Sequence, residues 1–121
     1  MATIELTAEN FQSTIAESAT VIIDFWAAWC GPCRSFAPTY EAAAEKYPDI
    51  VFGKVDTEVQ PSIAAAFSIR SIPTLMVFRD QIIIYSEAGA LSASALAGLI
   101  DQALALDMNA VRAEIAGQAT N

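Results

Sequence analysis

Two cysteines stand two residues apart in the stretch DFWAAWCGPCRSFAP, residues 24–38. Cys30 and Cys33 are the only two cysteines of the chain, which has no histidine. Cysteines at this spacing could carry out thiol–disulfide exchange, supply half of a metal site or form a structural disulfide. The rest of the sequence has to discriminate among these three uses.

Two of the uses fit this chain poorly. A structural zinc ion normally takes four cysteine or histidine ligands, so a site within this chain would need unusual carboxylate ligands. The missing histidine also excludes a Cys–His nucleophile of the thiol-protease kind. A disulfide that closes so short a loop restricts the unfolded chain only weakly, which disfavours a structural staple. Thiol–disulfide exchange is the favoured interpretation.

Exchange chemistry assigns a different task to each cysteine. If Cys30 stands at the first turn of a helix, unpaired N–H groups and the helix dipole favour its thiolate. Cys33, one turn later, could then resolve the mixed disulfide. Gly31 removes side-chain bulk where a partner must approach, and Pro32 stiffens the turn. We therefore predict that Cys30 is the nucleophile and Cys33 the resolving thiol, with Gly31 and Pro32 tuning their reactivity.

Asp24 is a carboxylate within the apolar run VIIDFW. If it is buried, its pKa rises and it could accept the proton of Cys33. If it lies at an exposed strand edge, it is simply solvated, and the pattern favours neither alternative. Lys54, on the predicted neighbouring strand, could modulate Asp24 or be a surface lysine. Trp29 is interpreted as a packing residue that shields the sulfurs or contacts partners.

A second candidate segment is SIRSIPTL, residues 68–75, immediately before a predicted strand. Most X-Pro bonds in folded proteins are trans, so the residues alone favour a trans bond before Pro73. A cis bond would expose the backbone of Ile72 for pairing with an extended substrate.

The elements that must position these residues alternate between β-rich and helical patterns, which is typical of an α/β protein. The predicted strands cover residues 3–6, 20–27, 50–56, 74–78 and 82–86, the last two joined as a hairpin through residues 79–81. Four helices are predicted. The first is capped by Thr7 and has Phe11, Ile15 and Ala19 on one face, and the other three cover residues 31–46, 61–67 and 92–106. Pro38 is expected to kink the second helix.

Composition limits the function further. A chain of 121 residues with 55% hydrophobic residues indicates one compact domain. Its net charge of −8 and six basic residues argue against nucleic acid as a partner. We find no signal-peptide pattern and no apolar run long enough for a bilayer. We therefore expect a cytoplasmic monomer without a membrane partner, in a compartment where thiols stay reduced.

The motif WCGPC, preceded by DFWAA and followed by SIPT at residues 71–74, resembles that of the thioredoxin family. The resemblance runs from about residue 3 to residue 106. It includes, in order, Asp24, Trp29, Cys30, Gly31, Pro32, Cys33, Pro38, Lys54, Pro61, Pro73, Phe78 and Gly89. It implies an α/β thioredoxin fold, in which a central five-stranded mixed β-sheet is flanked by four helices.

The resemblance also implies a function, that of a protein-disulfide reductase that maintains cytoplasmic thiols and donates electrons to target proteins. Its partners would be disulfide-containing clients and a flavin-dependent thioredoxin reductase that draws on NADPH, while the chain itself would bind no cofactor and no metal. It implies that Asp24 is buried for proton transfer and that the bond before Pro73 is cis. Ile72, Pro73 and Gly89 would form an apolar substrate surface beside Cys30.

The chain departs from the family pattern in three places. Arg34 stands where many members have lysine, and Gln81 replaces the glycine common at the hairpin turn. Residues 107–121 lie beyond the usual family end, so we divide the chain into a thioredoxin domain, 1–106, and a C-terminal extension of unknown role, helical or frayed.

Two alternative functions remain open at this point. The same fold serves oxidases and isomerases, although those relatives usually carry histidine between the cysteines, and Gly31-Pro32 favours the reductant. A thioredoxin-like domain can also be a binding module whose cysteine pair is idle.

Overall fold

The computed structural model describes residues 2–119, which form five strands and five helices; strands and helices alternate as far as β4, after which β5 is followed by two helices. The strands are β1 (Thr3–Glu5), β2 (Thr20–Trp26), β3 (Val51–Asp56), β4 (Thr74–Arg79) and β5 (Ile82–Ala88). The helices are α1 (Phe11–Glu17), α2 (Gly31–Lys46), α3 (Pro61–Ala66), α4 (Ala93–Ala105) and α5 (Met108–Ala119). No helix within residues 2–119 is both long and apolar enough to cross a membrane.

The five strands form one mixed sheet in the order β1-β3-β2-β4-β5. Strand β3 is parallel to both β1 and β2. Strand β4 is antiparallel to β2 and to β5. The predicted five-stranded mixed sheet is therefore confirmed, with β2 at its centre and buried on both faces.

Helices cover both faces of the sheet. The core on one face includes residues of α2 and α4, and the core on the other includes residues of α1 and α3. Alternate residues of β2 divide between them: Ile22 packs in the α2/α4 core, whereas Val21 and Ile23 pack in the α1/α3 core. Because side chains alternate along a strand, Asp24 faces the same side as Ile22, towards α2 and α4.

The start of α1 differs from its prediction. The helix begins at Phe11 with Asn10 at the N-cap position, so the prediction of Thr7 as the cap is wrong. The Asn10 side chain accepts a hydrogen bond from the Thr7 amide, at 2.7 Å, and donates one to the Glu5 carbonyl, at 3.0 Å. These bonds hold residues 8–10 in a turn outside the helix. Ala19 is exposed and lies beyond the helix end.

The β4–β5 hairpin is tighter than predicted. Arg79 belongs to β4 and pairs with Ile82, which leaves only Asp80 and Gln81 in the turn. Both turn residues have positive φ, 51° and 69°, as two-residue hairpin turns of type I′ require. Gln81 therefore occupies a left-handed position at which glycine is favoured.

The described part of the C-terminal extension forms a fifth helix, in addition to the four implied by the resemblance. Asp107 caps α5, because its Oδ1 accepts bonds from the Asn109 and Ala110 amides at 3.0 and 3.3 Å. Met108 is buried, and Arg112 Nη1 lies 3.0 Å from Asp80 Oδ2 in the hairpin turn. The extension is thus attached to the hairpin.

Candidate active site

The two cysteines lie at the N-terminus of α2 and form a disulfide. Cys30 is the N-cap residue, and its Sγ accepts a hydrogen bond from the Cys33 amide at 3.2 Å. Both side chains are almost fully buried, at 3% and 2% exposure. An unpaired amide of the first helical turn is therefore directed at the Cys30 sulfur, which is the arrangement that favours a thiolate there.

The local sequence explains this position of the cysteines. Strand β2 ends at Trp26, and the Cys30 amide donates to the Ala27 carbonyl at 3.2 Å, closing the turn into α2. Gly31 and Pro32 are the first residues of the helix, where the missing N–H of proline costs no helical hydrogen bond. A Cβ at Gly31 would meet no atom within 4 Å, so the space around this residue is open.

Asp24 is fully buried, and neither of its carboxylate oxygens has a hydrogen-bond partner. The strand register places it opposite Lys54 of β3. Burial raises the pKa of Asp24 from 3.8 to about 7, and the positive charge of Lys54 opposes part of that rise. The alternative of a solvated carboxylate at a strand edge is therefore wrong. A carboxyl with this pKa can both accept and release a proton near neutral pH.

Lys54 is half-buried, and its Nζ lies 4.6 Å from the centroid of the Trp26 ring. A cation at this distance from an indole is attracted by the negative face of the ring. The Trp26 ring thus holds the ammonium group on the side of the sheet where it acts on Asp24. Lys54 is therefore not simply a solvated surface lysine, which was the other alternative.

The segment before β4 lies against the disulfide. The Ile72 carbonyl oxygen is 3.8 Å from Cys30 Sγ, and the Ile72–Pro73 bond is cis. The trans bond favoured by residue statistics is therefore wrong, whereas the cis bond implied by the resemblance is present. The Gly89 amide donates to the Pro73 carbonyl at 2.8 Å, with Gly89 at φ +111°, which glycine alone adopts readily. The structure thus places Ile72 next to Cys30, with Gly89 bonded to the adjoining Pro73.

Trp29 is exposed, with 66% of its surface accessible. Its Nε1 donates to the Glu58 carboxylate at 2.7 Å, which holds the ring in place from the loop after β3. The interpretation of Trp29 as a packing residue is wrong, and the alternative of partner contact is compatible with this exposure. Glu58 was not predicted, because an acidic residue in a loop carries no local signal of its partner.

Two further contacts were missed. Arg34 Nη1 donates to the Ala28 carbonyl at 2.9 Å, so the arginine fixes the loop that leads to Cys30. The Tyr40 hydroxyl donates to two backbone carbonyls in the sheet. A signal for Tyr40 was available, because a tyrosine on the apolar face of a helix needs a hydrogen-bond partner once it is buried.

Within residues 2–119, no cluster of three or more histidine, cysteine, aspartate or glutamate side chains could hold a metal ion. The side chains that the site offers for chemistry are the two cysteines and the Asp24 carboxyl, with the charge of Lys54 acting on Asp24.

Comparison with known proteins gives a consistent result. The model of the family described as Thioredoxin matches residues 2–102. The chain is 56% identical over 116 residues to "Putative thioredoxin 2" of Streptomyces coelicolor, covering 96% of this chain and 87% of that one. It is 44% identical over 94 residues to "Thioredoxin 1" of Synechococcus elongatus, covering 77% and 88% respectively. A solved thioredoxin of Plasmodium falciparum superposes with a TM-score of 0.76 at 36% identity, covering 83% of this chain and 97% of that one.

Proposed function

Since the chain belongs to the thioredoxin family and is therefore a thiol–disulfide oxidoreductase, we propose that it reduces client disulfides with Cys30 as nucleophile and Cys33 as resolving thiol. The observation that carries this assignment is the position of Cys30 at the N-cap of α2, with the Cys33 amide directed at its sulfur. The helix terminus stabilises negative charge on Cys30 and gives no such hydrogen bond to Cys33.

The reaction transfers two electrons in two steps. The Cys30 thiolate attacks a client disulfide, forming a mixed disulfide and releasing one client sulfur as a thiolate. The Cys33 thiolate then attacks the Cys30 sulfur, which forms the Cys30–Cys33 disulfide and releases the second client sulfur. The client disulfide is thereby reduced to two thiols, and the dithiol of this chain is oxidised.

Asp24 supplies the proton transfer that the second step needs. Its carboxylate takes the proton from the Cys33 thiol, directly or through a water, as that thiol becomes the attacking group. The resulting carboxylic acid then returns the proton to the departing client thiolate. The pKa of about 7 supports both directions of transfer, because the carboxyl is then partly protonated and partly ionised near neutral pH. Lys54 tunes this proton affinity through its charge.

The client docks on the surface formed by Trp29, Ile72, Pro73 and Gly89. Ile72 offers a backbone carbonyl 3.8 Å from the Cys30 sulfur, and Trp29 offers an exposed indole on the preceding loop. An extended client segment could pair with the Ile72 backbone while its disulfide meets Cys30.

Members of the family work with thioredoxin reductase and with disulfide-containing clients, and they carry a redox-active disulfide rather than a bound cofactor. For this chain, we propose recycling by a flavin-dependent thioredoxin reductase with electrons from NADPH. We also propose that the protein works in the cytoplasm, where thiols stay reduced. We further propose that it is a monomer. Size-exclusion chromatography with light scattering tests the monomer, and localisation of the tagged protein by cell fractionation tests the compartment.

The decisive experiment is the reduction of insulin disulfides by the full chain, coupled to NADPH oxidation through thioredoxin reductase. We expect turnover by the wild type and none by Cys30→Ser. Cys33→Ser should instead accumulate the mixed disulfide, which is detectable by mass spectrometry. Turnover by Cys30→Ser would overturn the assignment of the nucleophile.

The direction of transfer has its own test. Equilibration with glutathione or dithiothreitol measures the reduction potential of the pair. A reductase should lie near the value typical of thioredoxins, about −270 mV, and an isomerase near roughly −180 mV. A reduction potential near roughly −180 mV would favour the oxidase or isomerase. Full cellular function of Cys30→Ser in a strain lacking the native gene would favour the idle binding module.

A further inference from the structure

The Tyr40 hydroxyl joins α2 to two neighbouring strands. It lies 2.9 Å from the Ile22 carbonyl oxygen of β2 and 2.8 Å from the Gly53 carbonyl oxygen of β3. The side chain is fully buried. Because a hydroxyl has one proton, the two carbonyls share it as acceptors of a three-centre bond. One side chain thus fixes the helix against both strands at a single point.

That point lies next to the residues proposed to move the proton. Ile22 precedes Asp24 by two positions on β2, and the two side chains face the same side of the sheet. Gly53 immediately precedes Lys54, which the register places opposite Asp24. The backbone groups held by Tyr40 therefore lie two residues before Asp24 on β2 and one residue before Lys54 on β3.

The helix also needs an anchor here. Cys33 and Tyr40 lie two turns apart on α2, and Pro38 stands between them within the helix. Proline lacks the N–H that would bond to the carbonyl four residues earlier, so this stretch of α2 has one internal hydrogen bond fewer. The separation between Cys33 and the strands below it then depends more on contacts between helix and sheet.

We propose that Tyr40 is a positioning residue for the proton-transfer step, and that its hydroxyl, through the Ile22 and Gly53 carbonyls, sets the place of Asp24 relative to Cys33. This inference rests on the proposed proton transfer by Asp24. The ring of Tyr40 is part of the core, packed near Phe36 and Phe52. The hydroxyl adds the link to the strands that a phenylalanine would lack.

The other groups around Asp24 limit what could produce the same effect. From β3 the charged group is Lys54, and from α2 the titratable groups are Tyr40 and the cysteines. The β4 residue in register with Asp24 is the uncharged Leu75. Burial, assisted by the nearby charges of Asp24 and Glu41, raises the pKa of Tyr40 well above 10.0, so its hydroxyl stays protonated and acts as a donor throughout.

Tyr40→Phe tests the hydroxyl alone. It leaves two buried carbonyls without their donor and opens a small polar space beside Asp24, into which a water can move. Hydration favours the ionised carboxylate, so the Asp24 titration midpoint should fall by at least about half a pH unit. The measurement is carbon NMR of aspartate-labelled protein across pH, with the Asp24 signal assigned by its loss in Asp24→Asn. The pH profile of insulin reduction should move in the same direction.

Tyr47→Phe is the matched control at the C-cap of the same helix, because the Tyr47 hydroxyl bonds to exposed Asp101, at 3.3 Å. It should leave both the titration and the pH profile as in the wild type. An unchanged Asp24 midpoint and pH profile in Tyr40→Phe would overturn the positioning role. If Asp24→Asn itself left the pH profile unchanged, the proposed proton transfer would fail, and the NMR midpoint would still report whether Tyr40 positions the carboxyl.

Discussion

Asp24 combines a functional advantage with a cost in stability. An ionised carboxylate without hydrogen-bond partners is unfavourable in a buried site, and this is why its pKa rises to about 7. Between pH 3.8 and 7 the folded chain therefore holds a proton that the unfolded chain releases. The stability of the fold must fall as the pH rises through this interval.

Asp24→Asn removes this titration. A shift of about three pH units corresponds to about 4 kcal/mol, which is the upper limit of the stability gained by the variant above pH 7. The gain should shrink as the pH falls and vanish only below about pH 3, where Asp24 is protonated in both states. Urea unfolding of the oxidised proteins at pH 4 and pH 8.5 measures it. The exposed Asp49→Asn is the control for loss of an aspartate elsewhere on the chain, and an equal gain at both pH values for Asp24→Asn would contradict the buried carboxyl.

Trp29 is exposed enough to be removed without damage to the core. We expect Trp29→Ala to raise the KM for insulin several-fold and to change the rate with a small disulfide much less. The free energy of unfolding should stay within about 0.5 kcal/mol of the wild type. Ile83→Ala is the control, because Ile83 is 45% exposed but lies at the hairpin end of β5. Equal KM values for wild type and Trp29→Ala would remove Trp29 from the docking surface.

At the scale of the elements, the site depends on how closely the strands pack against the segments beside them, as Gly53 of β3 does against Leu6. Gly53 lies on β3, where an added Cβ would collide with the buried side chain of Leu6. Its carbonyl also accepts from Tyr40. Because Gly53 has no side chain, the side chain of Leu6, which follows β1, can pack directly against β3.

Gly53→Ala should therefore destabilise the fold by about 1–3 kcal/mol through overpacking. Gly98→Ala is the matched substitution on α4, where a Cβ would meet no atom within 4 Å. It should stabilise the helix by up to about 1 kcal/mol, because alanine has the higher helix propensity. Chemical unfolding of both variants gives the comparison. Two substitutions of the same sign and size would show that the Leu6 contact is unimportant.

At the scale of the whole molecule, the C-terminal extension lies away from the chemistry. It contacts the hairpin turn after Arg79, and β4 separates that turn from Pro73 by six residues, or roughly 20 Å. The alignment with the Streptomyces coelicolor relative spans 116 of the 121 residues and so includes residues 6–116. Part of the extension therefore aligns with that relative, whereas the family model ends at residue 102.

We propose that residues 1–106 are the catalytic domain and that the extension only stabilises it. A chain that ends after Leu106 should fold and reduce insulin at the wild-type rate. Its free energy of unfolding should fall by about 1–3 kcal/mol, since Met108 loses its buried position. Arg112→Ala alone should cost less than about 1 kcal/mol, because its ion pair with Asp80 is exposed. A truncated chain that folds but no longer reduces insulin would refute the domain division.

The sequence by itself determined the layout of this protein. The period of apolar residues placed every strand and four helices to within a few residues. The short loop between Cys30 and Cys33, together with the absence of histidine and of further cysteines, favoured exchange chemistry. The first depends on neighbours along the chain and the second on loop length and composition, so neither needs the fold. The boundaries failed where a side chain bonded outside its own element, as Asn10 does when it displaces the predicted cap at Thr7.

The residues alone left open the state of Asp24 and favoured a trans bond before Pro73; the resemblance implied the buried carboxyl and the cis bond, and the tertiary structure decided both, together with the partners of Trp29 and Tyr40. The charge of a carboxyl depends on the dielectric and the hydrogen-bond donors around it, and these come from strands and helices that are distant in the sequence. The same pattern VIIDFW fitted a solvated or a buried aspartate equally well. Packing of α2 over β2 and β3 resolved that choice, because it removed water from Asp24 and left the carboxyl without a partner.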